Sequence, residues 1–362
     1  MNSVFFLPQR YELASIYPIF LISICFLLIL ILTSIKKVYL KNSKSPNELL
    51  SIDSSLVLRG IAAVVVMIHH YSLRIAEPWK MCYFWYMGYL AVSIFFFLSG
   101  YAAFFQFKRK GDKFWNRYFF NRFIRLIFPY IVSNTIYSLF YLPTPIQYLK
   151  SMITFKQVRG VESEWSTVWF LVAILFFTIL FWISFRFIKN EKAALAVFLL
   201  GSISYIAVNI FVLHHDNYWF NSALAYFTGI TYAMFKPAIS KTIDRTKIIL
   251  LPITAILTTA VFFITTKGYQ HWLIQLFCSE LVLALIVLID TCVELKSGIL
   301  KKFGKASWEI FLIHPLVYSV YYSLFKDRYG FSGIICIAIG IIAGIILNTF
   351  DEFMFSKIIK KS

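Results

Sequence analysis

Residues 59–72 read RGIAAVVVMIHHYS. The stretch between Gly60 and His69 is wholly apolar, and a helix of that composition suits hydrocarbon. An arginine at one end and two histidines near the other are then costly unless they serve a purpose. Working outward, apolar segments near the ~20 residues needed to cross a bilayer recur along the whole chain. They lie at roughly 13–35, 56–74, 82–107, 126–142, 166–185, 193–213, 218–235, 248–266, 272–292, 307–325 and 331–355. The 362 residues are 60% hydrophobic, 19% aromatic and 14% charged, with a mean hydropathy of +0.74, outside the range of soluble domains. Lipid offers the backbone no partner, so each segment is predicted to be a helix. Barrel strands would instead alternate over ~10 residues. The expected fold is an all-α polytopic integral membrane bundle of about eleven transmembrane helices.

A net charge of +18 on a soluble domain would point to nucleic acid. Here the basic residues fall on alternate loops, as the positive-inside rule produces, so the expected partners are membrane lipids and not nucleic acid. Lys36, Lys37, Lys41, Lys44 and Arg59 belong to one such region, and Lys108, Arg109, Lys110, Lys113, Arg117, Arg122 and Arg125 to the next. Arg186, Lys189 and Lys192 follow, then Lys236, Lys241, Arg245 and Lys247, then Lys296, Lys301, Lys302 and Lys305, and finally Lys357, Lys360 and Lys361. This alternation places the amino terminus outside and the carboxyl terminus in the cytoplasm. Residues 1–50 read as an N-terminal transmembrane helix with a cytoplasmic linker, and 51–362 as one membrane domain. The first apolar segment is too long for the core of a signal peptide and lacks a basic region ahead of it. Cys25, Cys82, Cys278, Cys292 and Cys336 show no CxxC or Cys/His ligand spacing, so neither a disulfide nor a metal site is expected.

Eleven steps of 100° bring His70 to within about 20° of the direction of Arg59 after ~16 Å of rise. The two share a face, with Arg59 expected at the inner interface and His70 near the middle of the hydrocarbon. A neutral imidazole can accept a proton from a hydroxyl, whereas the guanidinium only donates hydrogen bonds. The alternative is that His69 and His70 act as polar glue between helices.

Three other stretches accompany this one: GYLAVSIFFFLSGY at 88–101, NRFIRLIFPY at 121–130 and FGKASWEIFLIHPLV at 303–317. In this order, across about 52–355, they resemble the acyltransferase family 3 membrane proteins. Those proteins commonly acylate sugars and other envelope molecules. Without its first segment the chain has ten apolar segments, the number of helices that the resemblance implies for the core. Ala91 stands where the family usually has a second glycine, and Trp308-Glu309 replaces a more common pair containing tyrosine.

The resemblance implies acetyl-CoA, or another acyl-CoA, as donor and a saccharide or glycolipid as acceptor, in a bacterial cytoplasmic membrane. His70 and Arg59 become the candidate catalytic residues, with an acyl-His70 intermediate as a variant. Arg122 and Arg125, three apart on one helix face, are candidates to hold the donor's phosphates. Ser99, beside Gly100, would admit the thioester arm or allow close helix packing, and Tyr101 would donate to a developing oxyanion or pack. His314, Glu309 and Trp169 are supporting candidates. His314 is expected mainly to hydrogen-bond. Glu309 either faces the inner interface or pairs with Arg59 or Arg125. Trp165 and Trp169 would anchor at the interface or form a wall for a sugar ring. The cluster His214, His215 and Asp216 reads as a solvated loop. The long outer loop near 141–165 is either a connector or a cover for part of the site. Two rival classes also need many helices and a polar site: a transporter or flippase for a lipid-linked saccharide, and a sensor that binds acyl-CoA without turnover.

Overall fold

The computed structural model describes residues 17–39, 49–76, 79–158, 169–268, 271–325 and 332–360. Lys41, Lys44, Trp165, Lys361 and part of the long loop lie outside them. The elements in chain order are α1 (Tyr17–Ser34), β1 (Ile35–Val38), α2 (Ile52–Ser72), α3 (Cys82–Trp85), α4 (Gly88–Lys110), α5 (Tyr118–Tyr141), α6 (Pro145–Thr154), α7 (Trp169–Phe187), α8 (Glu191–Phe211), α9 (Ala225–Thr266), α10 (Trp272–Cys292), β2 (Val293–Leu295), α11 (Gly298–Lys305), α12 (Ser307–Phe325) and α13 (Ser332–Lys360).

Each of the eleven apolar segments contributes a helix, with turns at some of the ends, and the protein is an all-α polytopic bundle. Among the described residues, nine helices are long and apolar enough to cross a membrane. Two features reconcile that count with eleven segments. The 42 residues of α9 would extend ~63 Å if straight, yet the helix folds back. Ser222, just before it, donates to the Tyr89 carbonyl, and Val261 and Phe262, near its end, pack on the Tyr89–Cys278 cluster. Pro237 lies between the two limbs, where a missing N–H favours a bend. The other feature is α12, which is less apolar because it carries Glu309, His314 and Pro315. It is enclosed by α2, α5 and α13.

Glycines set how closely the central helices approach. A Cβ on Gly100 would meet the Tyr226 carbonyl, and one on Gly229 the Phe97 carbonyl, so α4 and α9 touch backbone to backbone. Likewise Gly60 of α2 faces the Leu300 carbonyl of α11, and Gly304 of α11 faces the Leu56 carbonyl. Such small-residue contacts replace the hydrophobic driving force that is missing between helices in lipid.

Two short elements were not expected. Antiparallel pairing of β1 with β2 is extended by bonds from Tyr39 N to Cys292 O (2.7 Å) and from Lys296 N to Ser34 O (2.8 Å). This ribbon ties α1 to the junction of α10 and α11. In the long loop, Thr144 and Gln147 form a capping box that starts α6. Tyr130 and Asn134 of α5 then hold α6 through Ser151.

Candidate active site

Helix α2 starts earlier than its apolar run, because the Ser51 side chain caps the Ser54 N–H. His70 consequently lies two residues from the end of α2 instead of at its centre. Two neighbours mark the same level: a Cβ on Gly88, where α4 begins, would strike the His69 ring, and one on Gly333, at the start of α13, would meet Tyr71. The imidazole thus belongs to the last turn of α2. His70 sits near the end of α2 that lies away from the basic loop 108–117, while α12 continues past His314 to Phe325.

The adjacent histidines have separate roles. His69 Nδ1 lies 3.0 Å from the Phe84 carbonyl and donates to it, fixing the turn before α4. Gly88 leaves room for that ring. Gly88→Ala should therefore destabilise the protein by about 1–3 kcal/mol, read as a lowered thermal midpoint in detergent. An unchanged midpoint would contradict this packing.

His70 faces another histidine. Its Nδ1 is 2.7 Å from Nε2 of His314, with the rings parallel to within 7°. His314 is fully buried, and its own Nδ1 lies 2.9 Å from the Ile310 carbonyl. A carbonyl only accepts, so with both rings neutral the protons are fixed in sequence. His314 donates from Nδ1 and accepts at Nε2; His70 donates from Nδ1 and carries its lone pair on Nε2. The segment of α12 around His314 is held as well. Pro315 interrupts the helix ladder there, and the Leu312 carbonyl accepts from both Tyr137 Oη and Gln157 Nε2, each at 3.0 Å. Gln157, in the loop after α6, thus braces the helix that carries His314.

Arg59 is half-buried, and its guanidinium lies close enough to that of Arg122 for the two to repel. Arg122 turns inward, within electrostatic reach of Tyr118 and Tyr226. Its buried Nη2 has no hydrogen-bond partner. A like-charge pair of this kind is costly unless an anion completes it. Arg125 departs from the expected double fork. It is exposed, 3.8 Å from Glu352, and lies over the Phe355 ring. Three helical steps leave ~60° between the two arginines, and their neighbours pull them apart.

The remaining candidates are distributed. Ser99 is half-buried, beside the Gly100 contact that closes α4 onto α9. Tyr101 accepts a hydrogen bond from Lys236 Nζ (2.8 Å), which also donates to the Leu49 carbonyl (2.7 Å). Tyr101 therefore belongs to a network at the basic end, about 20 Å of helix rise from the His69 level, too far to serve an oxyanion there. Glu309 is buried and faces Asn348, Asp351 and Glu352 of α13. It pairs with neither Arg59 nor Arg125. Trp169 packs with Tyr218 and Trp219.

Two neighbours of these residues were not singled out in the sequence. Phe311 lies 6.2 Å from His70 and stacks on Trp308, and nothing distinguishes it from the other phenylalanines of the chain. Asp351, fully buried with neither carboxylate oxygen bonded, did leave a signal as an acid inside an apolar segment.

An all-helical membrane bundle holding an imidazole pair and two half-buried arginines defines a polytopic membrane protein with an internal polar site. Residues 49–349 match the family described as Acyltransferase domain. The chain belongs to this family, acyltransferase family 3, and is a membrane-bound acyltransferase. No curated protein and no solved structure matches it.

Proposed function

We propose that this protein transfers an acetyl group from acetyl-CoA to a hydroxyl of an envelope saccharide or lipid-linked sugar. The observation that carries the reading is the ordered contact from Ile310 O through His314 to His70, which leaves the lone pair on His70 Nε2. Applied to the loops, the positive-inside rule makes the basic end cytoplasmic, where acetyl-CoA is available, with the amino terminus outside. Arg59 and Arg122 then receive the donor's phosphates, charge-assisted contacts that an unbonded Nη2 favours. The eleven residues from Arg59 to His70 rise ~16 Å, a span for the extended pantetheine arm, so the thioester meets its acceptor near the outer face.

In the reaction, Nε2 of His70 takes the acceptor's hydroxyl proton, and the freed oxygen attacks the thioester carbonyl. The C–S bond breaks as the new C–O bond is completed, and the CoA thiolate takes the proton back from the imidazolium. His314 holds the imidazole in the required tautomer and shares the charge that forms.

The test is to incubate purified protein with radiolabelled acetyl-CoA and extracted membrane glycans. The expected product is a glycan carrying base-labile label, and an unlabelled glycan from well-folded protein would overturn the reading. Arg122→Leu gives a second check with opposite signs. It should raise the KM for acetyl-CoA by about 10-fold or more, the loss of one charged hydrogen bond, and raise the melting temperature by relieving the repulsion with Arg59. A variant with unchanged KM would remove Arg122 from the donor site.

A further inference from the structure

We propose that His215, Asp216, Trp219 and Trp169 form a second carbohydrate subsite at the outer rim, so that the acceptor is a saccharide of more than one ring. This rests on the function proposed above.

The residues between α8 and α9 are built into a platform. His214 takes a left-handed backbone conformation (φ 49°), uncommon for a residue with a side chain. His215 N then bonds back to the Asn209 carbonyl at 2.9 Å. The turn lays the His215 ring on Trp219, with centroids 4.3 Å apart and planes within 18°. Trp219 is fixed in turn, because its carbonyl accepts from Tyr205 Oη at 3.0 Å. Trp169, the first residue of α7, closes the group at 6.1 Å from Trp219 and 5.8 Å from Tyr218.

The tautomer of His215 is also set. Asn209, buried in α8, donates its amide nitrogen to the Tyr205 carbonyl, so its oxygen accepts from His215 Nδ1 at 2.8 Å. Partial burial, with a contribution from Lys156, holds this imidazole below its ordinary range despite the opposing pull of Asp216. It is therefore neutral near pH 7, with an accepting Nε2 beside the exposed Asp216 carboxylate. Half-exposed indoles next to fixed acceptors match the chemistry of a pyranose, which offers an apolar C–H face ringed by hydroxyl donors.

Ordinary interfacial anchors are tryptophans and tyrosines set at headgroup level. These rings instead pack on one another, the loop that carries them is tied to α8 through Asn209 and Tyr205, and they lead inward. Trp169 meets Phe170 at 6.2 Å, Phe170 meets Phe311 at 5.7 Å, and Phe311 meets His70 at 6.2 Å. The rim and the imidazole are thus joined by one continuous aromatic cluster.

The test uses detergent-solubilised full-length protein on an array of soluble oligosaccharides of about two to six rings, with acetyl-CoA binding measured in parallel. The parent should retain at least one glycan, and Trp219→Ala and the exposed Asp216→Ala should each weaken retention by about 10-fold or more. Both should leave acetyl-CoA affinity unchanged, and the exposed Asp216→Ala should leave the melting temperature unchanged as well. Asp216→Ala is the safeguard should Trp219→Ala fail to fold. Retention equal to the parent in folded variants, or no glycan retained by the parent, overturns the subsite. Glycan retention lost in these variants, in a protein that never transfers acetyl, would uphold the subsite and sink the transferase chemistry instead.

Discussion

Replacing His70 with alanine is expected to lower acetyl transfer by about 10²- to 10⁴-fold, the range for loss of a general base, at unchanged abundance and acetyl-CoA affinity. The change removes Nε2, and the variant leaves His314 still bonded to the Ile310 carbonyl, so the helix pair should survive. His314→Ala should cost about 10²-fold through kcat, because His70 loses the acceptor that selects its tautomer. His314→Gln separates positioning from simple packing: its amide oxygen can accept from His70 Nδ1, so part of the rate should return. Steady-state kinetics with labelled acetyl-CoA would read all three. Equal activity of His70→Ala and the parent would remove the imidazole from the chemistry. Equal losses in His314→Ala and His314→Gln would reduce His314 to a packing residue.

The other large effect is expected at Gly60, the residue after Arg59. Its missing side chain admits the Leu300 carbonyl, and Gly304 returns the contact against Leu56. In Gly60→Val the obstruction is backbone, which cannot rotate away as a long side chain would. Overpacking commonly costs about 1–3 kcal/mol, and a branched residue against a helix carbonyl should reach or exceed the upper end. The expected readouts are a sharply lowered melting temperature and little monodisperse protein in size-exclusion chromatography. A parent-like melting curve would mean that α11 does not rest against Gly60 of α2.

The bundle was legible in the sequence because hydrocarbon leaves so few options. Each apolar run had to be a helix, and even the fold-back within α9 follows from the basic residues 236–247 that separate its two apolar limbs. Arg59 and His70 stood out as candidates for a similar reason, since helical spacing alone puts them on one face. The place of His70 along its helix was not legible, because an apolar window overlooks the polar first turn, Ile52 to Ser55, that capping adds to α2. His314 could be picked out as a buried polar residue, but its meeting with His70 joins positions 244 residues apart, beyond any local pattern. The parting of Arg122 from Arg125 depends on which helices flank α5, again a tertiary fact. The loop at 214–216 read as solvated because adjacent side chains usually diverge. Only the turn at His214 and the anchor at Asn209 bring the His215 ring back onto Trp219.

The ribbon between β1 and β2 couples the amino-terminal helix to the rest of the protein mechanically. It grips the chain immediately before α11, and α11 is the wedge seated against the Arg59–Gly60 step. Tension or tilt imposed on α1 by a thicker or thinner bilayer would therefore reach the guanidinium through a lever only a few residues long. Membrane thickness thereby gains a route to the Arg59 end of α2, through a segment that precedes the family-matched region.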